Sequence, residues 1–301
     1  MPITATPLLQ RKQRIEEALR KSRSPLSAAS FTNIFVWQDF FDFECEDIDG
    51  NFCVFASNEV GTFLYLPPLG EAISPRTIEH CFAIMTERNQ GSSVSRIENV
   101  PQALVKHFDQ NKFSVYAKSP DYVYRREDIV ALKGNPFKSP RWAYNRFVKN
   151  NHAEFRAYEP TMLKDCLGLF GRWAKERAGR YSDPVYRQML EENKKVHERI
   201  LTYSNELDII GRVVNVEGRI AGYTFGHALN SDTFVVLCEV TDLALKGCAS
   251  FIFREFCKDP ALTAFEFINA MDDSDMENIR RTKLFFNPCE VVSNYVVSFK
   301  E

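Results

Sequence analysis

The sequence predicts an α/β protein of two domains, each built on a mixed, mostly antiparallel sheet with helices on both sides. Length is the first reason: 301 residues, 45% apolar and 26% charged, suit two domains of ordinary size better than one core. The second is periodicity, which switches repeatedly between the helical and the strand repeat. The third is that both halves run through a similar order of elements.

The C-terminal half is the clearer. "PTMLKDCLGLFGRWAKE" puts Leu163, Cys166, Leu167, Phe170 and Trp173 on one helical face, and a second helix is expected from about Pro184 to Leu207. "GRVVNVEGRIAGYTFGHALNSDTFVVLCEV" reads as a three-stranded meander, broken at Glu217-Gly218 and at "LNSD". A glycine turn, "ALKGCA", then opens a short helix. Strand 265–269, helix 274–283 and the strand-like "CEVVSNYVVSF" follow. This order is the one found in GNAT-type acyltransferases. In that fold the turn after the fourth strand offers helix N-terminal amides to a cofactor pyrophosphate. Gly247 and Ala249 keep the turn, but Ala244 replaces its usual polar residue.

The N-terminal half follows a looser plan. "NFCVFAS" and "GTFLYLP" pair across "NEVG", and "SPRTIEHCFAIM" makes a helix with Ile78, Cys81, Phe82 and Met85 on one face. "SVSRIENV" adds a strand and "PQALVKHF" a short helix. We set the domains at 1–148 and 149–301.

Composition narrows the function classes. A formal net charge of −2 gives no global field for nucleic acid or anionic lipid, so such contacts need a local patch. No apolar run is long enough to cross a bilayer, and "MPITATPLLQRKQR" lacks the apolar centre of a signal peptide. Peripheral membrane contact stays open. The eight cysteines are scattered, which suits a reducing cytosol, and the five histidines lie at no ligand spacing, so no structural metal is expected. No local serine, histidine and acid signature argues for hydrolysis.

Two stretches carry charge patterns. From Ile129 to Ala153 there is no acid, while Lys133, Lys138, Arg141, Arg146 and Lys149 fall among Phe137, Trp142, Tyr144 and Phe147. Such a stretch either grips phosphates and stacks on bases or is a solvated helix with its aromatics in the core. In "FINAMDDSDMENIRRTKLFFNP", residues 267–288, Ser274 and Glu277 read as a capping box, with acids and bases at the two ends of the helix dipole. A calcium loop fits poorly, because the required glycine and glutamate positions fail.

Several stretches together resemble the soluble relatives of the C-terminal domain of bacterial phosphatidylglycerol lysyltransferase. They are "FTNIFVWQDFF", then "DYVYRREDIVALKGNPFKSPRWAYNRF", then the meander through Gly211, Gly226, Asp232, Thr233 and Glu239. The last is the 267–288 segment, with Asn269, Asp273, Arg280, Lys283 and Pro288 on matching positions. The resemblance implies two fused GNAT-like domains, as in the Fem aminoacyltransferases, and a strand–helix junction that lines the cleft. It departs at Ala270, Met271 and Val240, where the family has arginine, glutamate and lysine.

The implied function is transfer of an aminoacyl group from aminoacyl-tRNA to a lipid or another amine or hydroxyl acceptor. An acyl-CoA-dependent N-acyltransferase and a non-catalytic binding protein are the alternatives. Glu239 and Lys283 are the candidate catalytic residues: the first for an α-ammonium or a proton, the second for a carbonyl or phosphate oxygen. Asn269, Asp273, Arg280 and Gly247 are candidate substrate contacts, and Lys138, Arg141, Arg146 and Lys149 candidate tRNA contacts. Glu239, Asn269, Asp273 and Lys283 are expected to converge on one cleft between the two domains. Lys283 fits least well, because it lies about 15 Å from Asp273 along a helix.

Overall fold

The computed structural model describes residues 7–90, 93–180 and 184–300. The first six residues of the stretch read for a leader lie outside them. The chain packs as two compact units: residues 1–121, 272–275 and 291–301 form one, and 122–271 with 276–290 the other. The expected boundary at 148/149 differs from this division. Helices after residue 122 pack on a helix of the second unit, so 122–148 belong with it by packing.

In the first unit, helices α1 (Pro7–Gln10), α2 (Lys12–Ser22) and α3 (Phe31–Val36) precede strands β1 (Asp42–Ile48), β2 (Asn51–Asn58) and β3 (Gly61–Leu64). Ser30 caps α3 by accepting from the Asn33 amide at 3.1 Å, as a serine in extended conformation should. The predicted hairpin is present, with Asn58 facing Gly61. Helix α4 (Pro75–Arg88) buries Ile78, Cys81, Phe82 and Met85, the face read from the sequence. Strand β4 (Arg96–Pro101), short α5 (Gln102–Val105) and the long β5 (Phe113–Arg125) complete the run, and the unit boundary falls within β5.

The second unit adds α6 (Arg126–Ala131), α7 (Lys138–Asn150), β6 (Ala153–Ala157), α8 (Leu163–Arg180) and α9 (Pro184–Thr202). The meander follows as β7 (Ile210–Val216), β8 (Arg219–Ala228) and β9 (Thr233–Thr241). Glu217 and Gly218 both have positive φ, 52° and 79°, as a tight hairpin of mirror-image turn type requires. Then come α10 (Cys248–Lys258), β10 (Phe267–Asn269), α11 (Glu277–Phe285) and β11 (Glu290–Phe299). One face of α10 buries Phe253, Phe256 and Cys257 with Tyr124, Phe234 and Ile268, and its first turns bury Cys248, Phe251 and Ile252 with Phe147 and Val214.

The strands hydrogen-bond in the order β1-β2-β3-β4-β11-β5-β10-β9-β8-β7-β6. The expected mixed, mostly antiparallel sheet flanked by helices is therefore present, as one ladder rather than two. Pairs β3–β4 and β9–β10 are parallel.

Candidate active site

The site is built where β9 and β10 part. Their parallel pairing covers Thr233–Val235 against Phe267–Asn269 and ends there. On β9 the register to β8 slips between Val236 and Cys238, which leaves Leu237 as a bulge residue. Strand β10 stops at Asn269, whose Oδ1 accepts from the Met271 amide at 2.7 Å. The backbone then follows β5: Ala270 donates to the Tyr122 carbonyl (2.9 Å), and Tyr122 to that of Met271 (3.1 Å). The two strands part through a bulge on one and an Asn-held turn on the other. Glu239 lies two residues before the end of β9. It sits four residues past the last parallel pair, or about 13 Å along the strand.

Glu239 is partly exposed as a residue, yet its Oε2 is buried and has no hydrogen-bond partner. Burial pushes its pKa up to about 8, against the opposing field of Lys283. Lys283 reaches this region, although the helix spacing argued otherwise. Its Nζ donates to the carbonyl of Ala270, and its own carbonyl accepts from the Tyr124 hydroxyl at 2.8 Å. A long flexible stem spans what the helix rise does not. Lys283 thus acts electrostatically on Glu239 and meets the carbonyl of the residue after Asn269, all within the second unit.

Asp273 belongs to the first unit and is fully buried. Its Oδ1 accepts from the Asp275 amide (3.0 Å), which the Ser119 hydroxyl also meets (2.8 Å). The predicted capping box is absent. Ser274 and Asp275 have φ of 50° and 55°, and Ser274 turns to Asp272, so the helix starts at Glu277 with Met276 before it and no side-chain cap. Two aspartates folding the turn onto themselves outcompete the serine cap. Arg280 is half-exposed and pairs with Glu277 at 3.9 Å.

Gly247 opens α10 at φ 91°, but its α-carbon faces α7: a β-carbon there would overlap the carbonyl oxygen of Ala143. The basic stretch divides in two. Phe137 and Phe147 are buried, Tyr144 donates to Glu255 (2.7 Å), and Arg141 donates to the carbonyls of Leu132 and Gly134, the latter at 3.2 Å. Arg141 thus closes the end of α6. Lys138, Trp142, Arg146 and Lys149 are exposed at helical spacing, with Arg146 over the Trp142 ring at 5.3 Å.

Residues 20–298 match the family model described as phosphatidylglycerol lysyltransferase, C-terminal. The chain belongs to that family. Among solved structures it is similar to a conserved protein of unknown function from Bacteroides thetaiotaomicron, at 22% identity over all of both chains and a TM-score of 0.86. It also resembles L-PGS from Bacillus licheniformis, at 13% identity, 95% and 91% coverage and a TM-score of 0.67. FemX follows at 7% identity, 99% and 95% coverage and a TM-score of 0.64. No curated protein sequence matches. Membership in the phosphatidylglycerol lysyltransferase C-terminal family and a Fem-like GNAT fold support aminoacyltransferase chemistry in the broad sense. Among the described residues no helix is long and apolar enough to cross a membrane.

The sequence missed Thr224. It faces Glu239 directly across β8 and β9, is fully buried, and its hydroxyl has no partner. Only the cross-strand register brings the two together. On the opposite face of β8, His197 Nδ1 meets the Tyr223 hydroxyl at 2.9 Å, and both nitrogens of buried His227 lack a partner. Burial holds these histidines neutral, at about 3 and about 4.

Proposed function

We propose that the chain transfers an aminoacyl group from aminoacyl-tRNA to an amine or hydroxyl acceptor, carried on a lipid or a smaller molecule. The observation that carries this reading is the Glu239–Lys283 arrangement beside the opening between β9 and β10. An aminoacyl ester is already activated, so transfer asks chiefly for positioning and for positive charge near the carbonyl oxygen. Lys283 supplies that charge. Glu239 meets the amine or takes the acceptor's proton, Asn269 fixes the turn that ends β10, and Asp273 fixes the next one. Arg280 extends the positive charge along α11. On α7, Lys138, Arg146 and Lys149 follow the phosphate backbone while Trp142 stacks on an unpaired base.

The acyl-CoA alternative meets a specific obstacle. A pyrophosphate at the start of α10 needs open amides, whereas the Cys248 amide there already donates to the Leu245 carbonyl at 3.0 Å. The test is a transfer assay with purified protein, labelled aminoacyl-tRNA and vesicles containing phosphatidylglycerol or phosphatidylethanolamine. Labelled lipid, lost in Lys283→Met, is the expected result. No binding of aminoacyl-tRNA at low salt, together with tight binding of CoA, overturns the reading.

A further inference from the structure

We propose that Glu239 and Thr224 form the seat for a primary ammonium group of the substrate. This rests on the reading that the opening between β9 and β10 is the substrate site, and it names the ligand chemistry there.

The two side chains are register partners in an antiparallel pair, so they share one face of the sheet with β-carbons about 5 Å apart. Each carries a buried oxygen with no hydrogen-bond partner: Oε2 of Glu239 and Oγ1 of Thr224. Two adjacent orphan acceptors are rare in a folded protein and point to a missing donor. Among the described residues no hydrogen bond reaches either atom. On the same face, glycines flank Thr224 at 222 and 226. The first has Ile252 3.1 Å from where a β-carbon would stand, and the second has its space taken by the Phe234 ring. Apolar atoms of Ile252 and Phe234 thus crowd the positions on either side of Thr224 along β8. A carboxyl plus a hydroxyl, both short of N–H donors, match an ammonium, which has three such donors and no acceptor.

The charge balance agrees. The titratable groups coupled electrostatically to Glu239 are Lys283 on α11, Tyr124 on β5, Cys248 and Cys257 on α10, and Cys238 beside it on β9. Burial keeps the phenol and the thiols neutral, so Lys283 is the one cation among them, and its Nζ is engaged with the Ala270 carbonyl. With a pKa of about 8, roughly nine-tenths of Glu239 is protonated at pH 7. An arriving ammonium ionises it and expels that proton to solvent.

Calorimetric titration of the purified protein at pH 7, in buffers of different ionisation enthalpy, tests this without tRNA. The probes are L-lysinamide and L-alaninamide for the aminoacyl donor, and O-phosphoethanolamine for an amine-bearing head group. N-Acetyl-alaninamide, which has no ammonium, is the control. The expected result is that the phosphoethanolamine amine binds with release of about 0.9 proton and the amides with about 0.7–0.8, because their α-ammonium groups are themselves partly deprotonated at pH 7, and that affinity rises just under tenfold from pH 6 to pH 7. Preference for the amides assigns the seat to the donor, and preference for phosphoethanolamine assigns it to the acceptor. Glu239→Gln, close in shape to the protonated acid, should fold, lose both the proton release and the pH dependence, and weaken binding at least tenfold. Thr224→Val should weaken binding several-fold and leave the proton count unchanged. No amine binding, equal binding of the acetylated control, or unaltered affinity in Glu239→Gln overturns the proposal. In those cases the two oxygens hold buried water. Amine binding without transfer from aminoacyl-tRNA would sink the tRNA reading and keep the seat. Transfer without proton-linked amine binding would do the reverse.

Discussion

At the scale of the residue, the two most informative positions are a glycine and a threonine. Gly247 was selected in the sequence as a cofactor-loop residue, because a glycine before a helix fits an anion-binding turn. Its structural setting instead gives it a packing reason, close approach of α7, and a conformational one, a φ of 91°. Alanine there must both enter the left-handed region and displace the Ala143 carbonyl. We expect Gly247→Ala to cost about 2–4 kcal/mol in denaturant unfolding, where a turn glycine open to a ligand would cost about 1. Thr224 shows the converse. Nothing in "RIAGYTFGHA" marks it out, since a strand threonine is ordinary. It becomes a candidate only through its register with Glu239, and register depends on the bulge at Leu237, which the sequence does not announce. Glu239 was legible, but through the family resemblance rather than its spacing.

At the scale of the element, α7 illustrates how one stretch can satisfy two readings at once. Its sequence pattern left open a phosphate-gripping helix or a solvated one with aromatics in the core. The helix does both on different faces. Phe147 and Tyr144 pack inward and Arg141 closes α6, while Lys138, Trp142, Arg146 and Lys149 face solvent, with Trp142 62% exposed. The residues formerly grouped as tRNA contacts therefore separate by experiment. Glutamate at Lys138, Arg146 and Lys149 together should lower the slope of log affinity for tRNA against log salt by up to about three, with little change in melting temperature. Arg141→Glu should destabilise the fold by about 1–3 kcal/mol, because two carbonyls lose their donor. Equal slopes for wild type and triple variant would remove α7 from the binding surface.

The elements that escaped the sequence share a physical cause. Strand β1, "DFECEDI", alternates acids with apolar residues and is mostly solvent-facing, and β6, "AEFRA", is equally exposed; both are edge strands with one open side. Strand β5 carries Pro120, which argues against a strand, yet it runs through thirteen residues. Of the legible strands, β2 and β8 bury nearly every residue, and β7 and β8 meet on a glycine turn.

At the scale of the whole molecule, the buried titratable groups of the second unit combine into one pH profile. His197 and His227 are held at about 3 and about 4, below their usual 6.5. Their contribution is complete above pH 6.5 and is lost as pH falls, because the unfolded chain then takes up two protons that the folded one refuses. Glu239, raised from 4.5 to about 8, acts in the opposite sense: its contribution is complete below 4.5 and is lost as pH rises through 8. Between 4.5 and 6.5 two histidines outweigh one glutamate, so stability climbs with pH. Between 6.5 and 8 only the glutamate operates, so stability declines. Of the other shifts, that of Glu98, lowered by Lys118 and Arg96 against its burial, matters below about 4.5, and those of the buried thiols and phenols above about 9. The thermal midpoint of the transition that includes this unit should therefore peak near pH 6.5. In Glu239→Gln the decline between 6.5 and 8 should vanish, turning the peak into a plateau that ends where the cysteines begin to ionise. Melting curves from pH 5 to 9 read both. An unchanged alkaline limb in the variant would mean that Glu239 is ionised in the folded state, and that no amine is needed to draw its proton off.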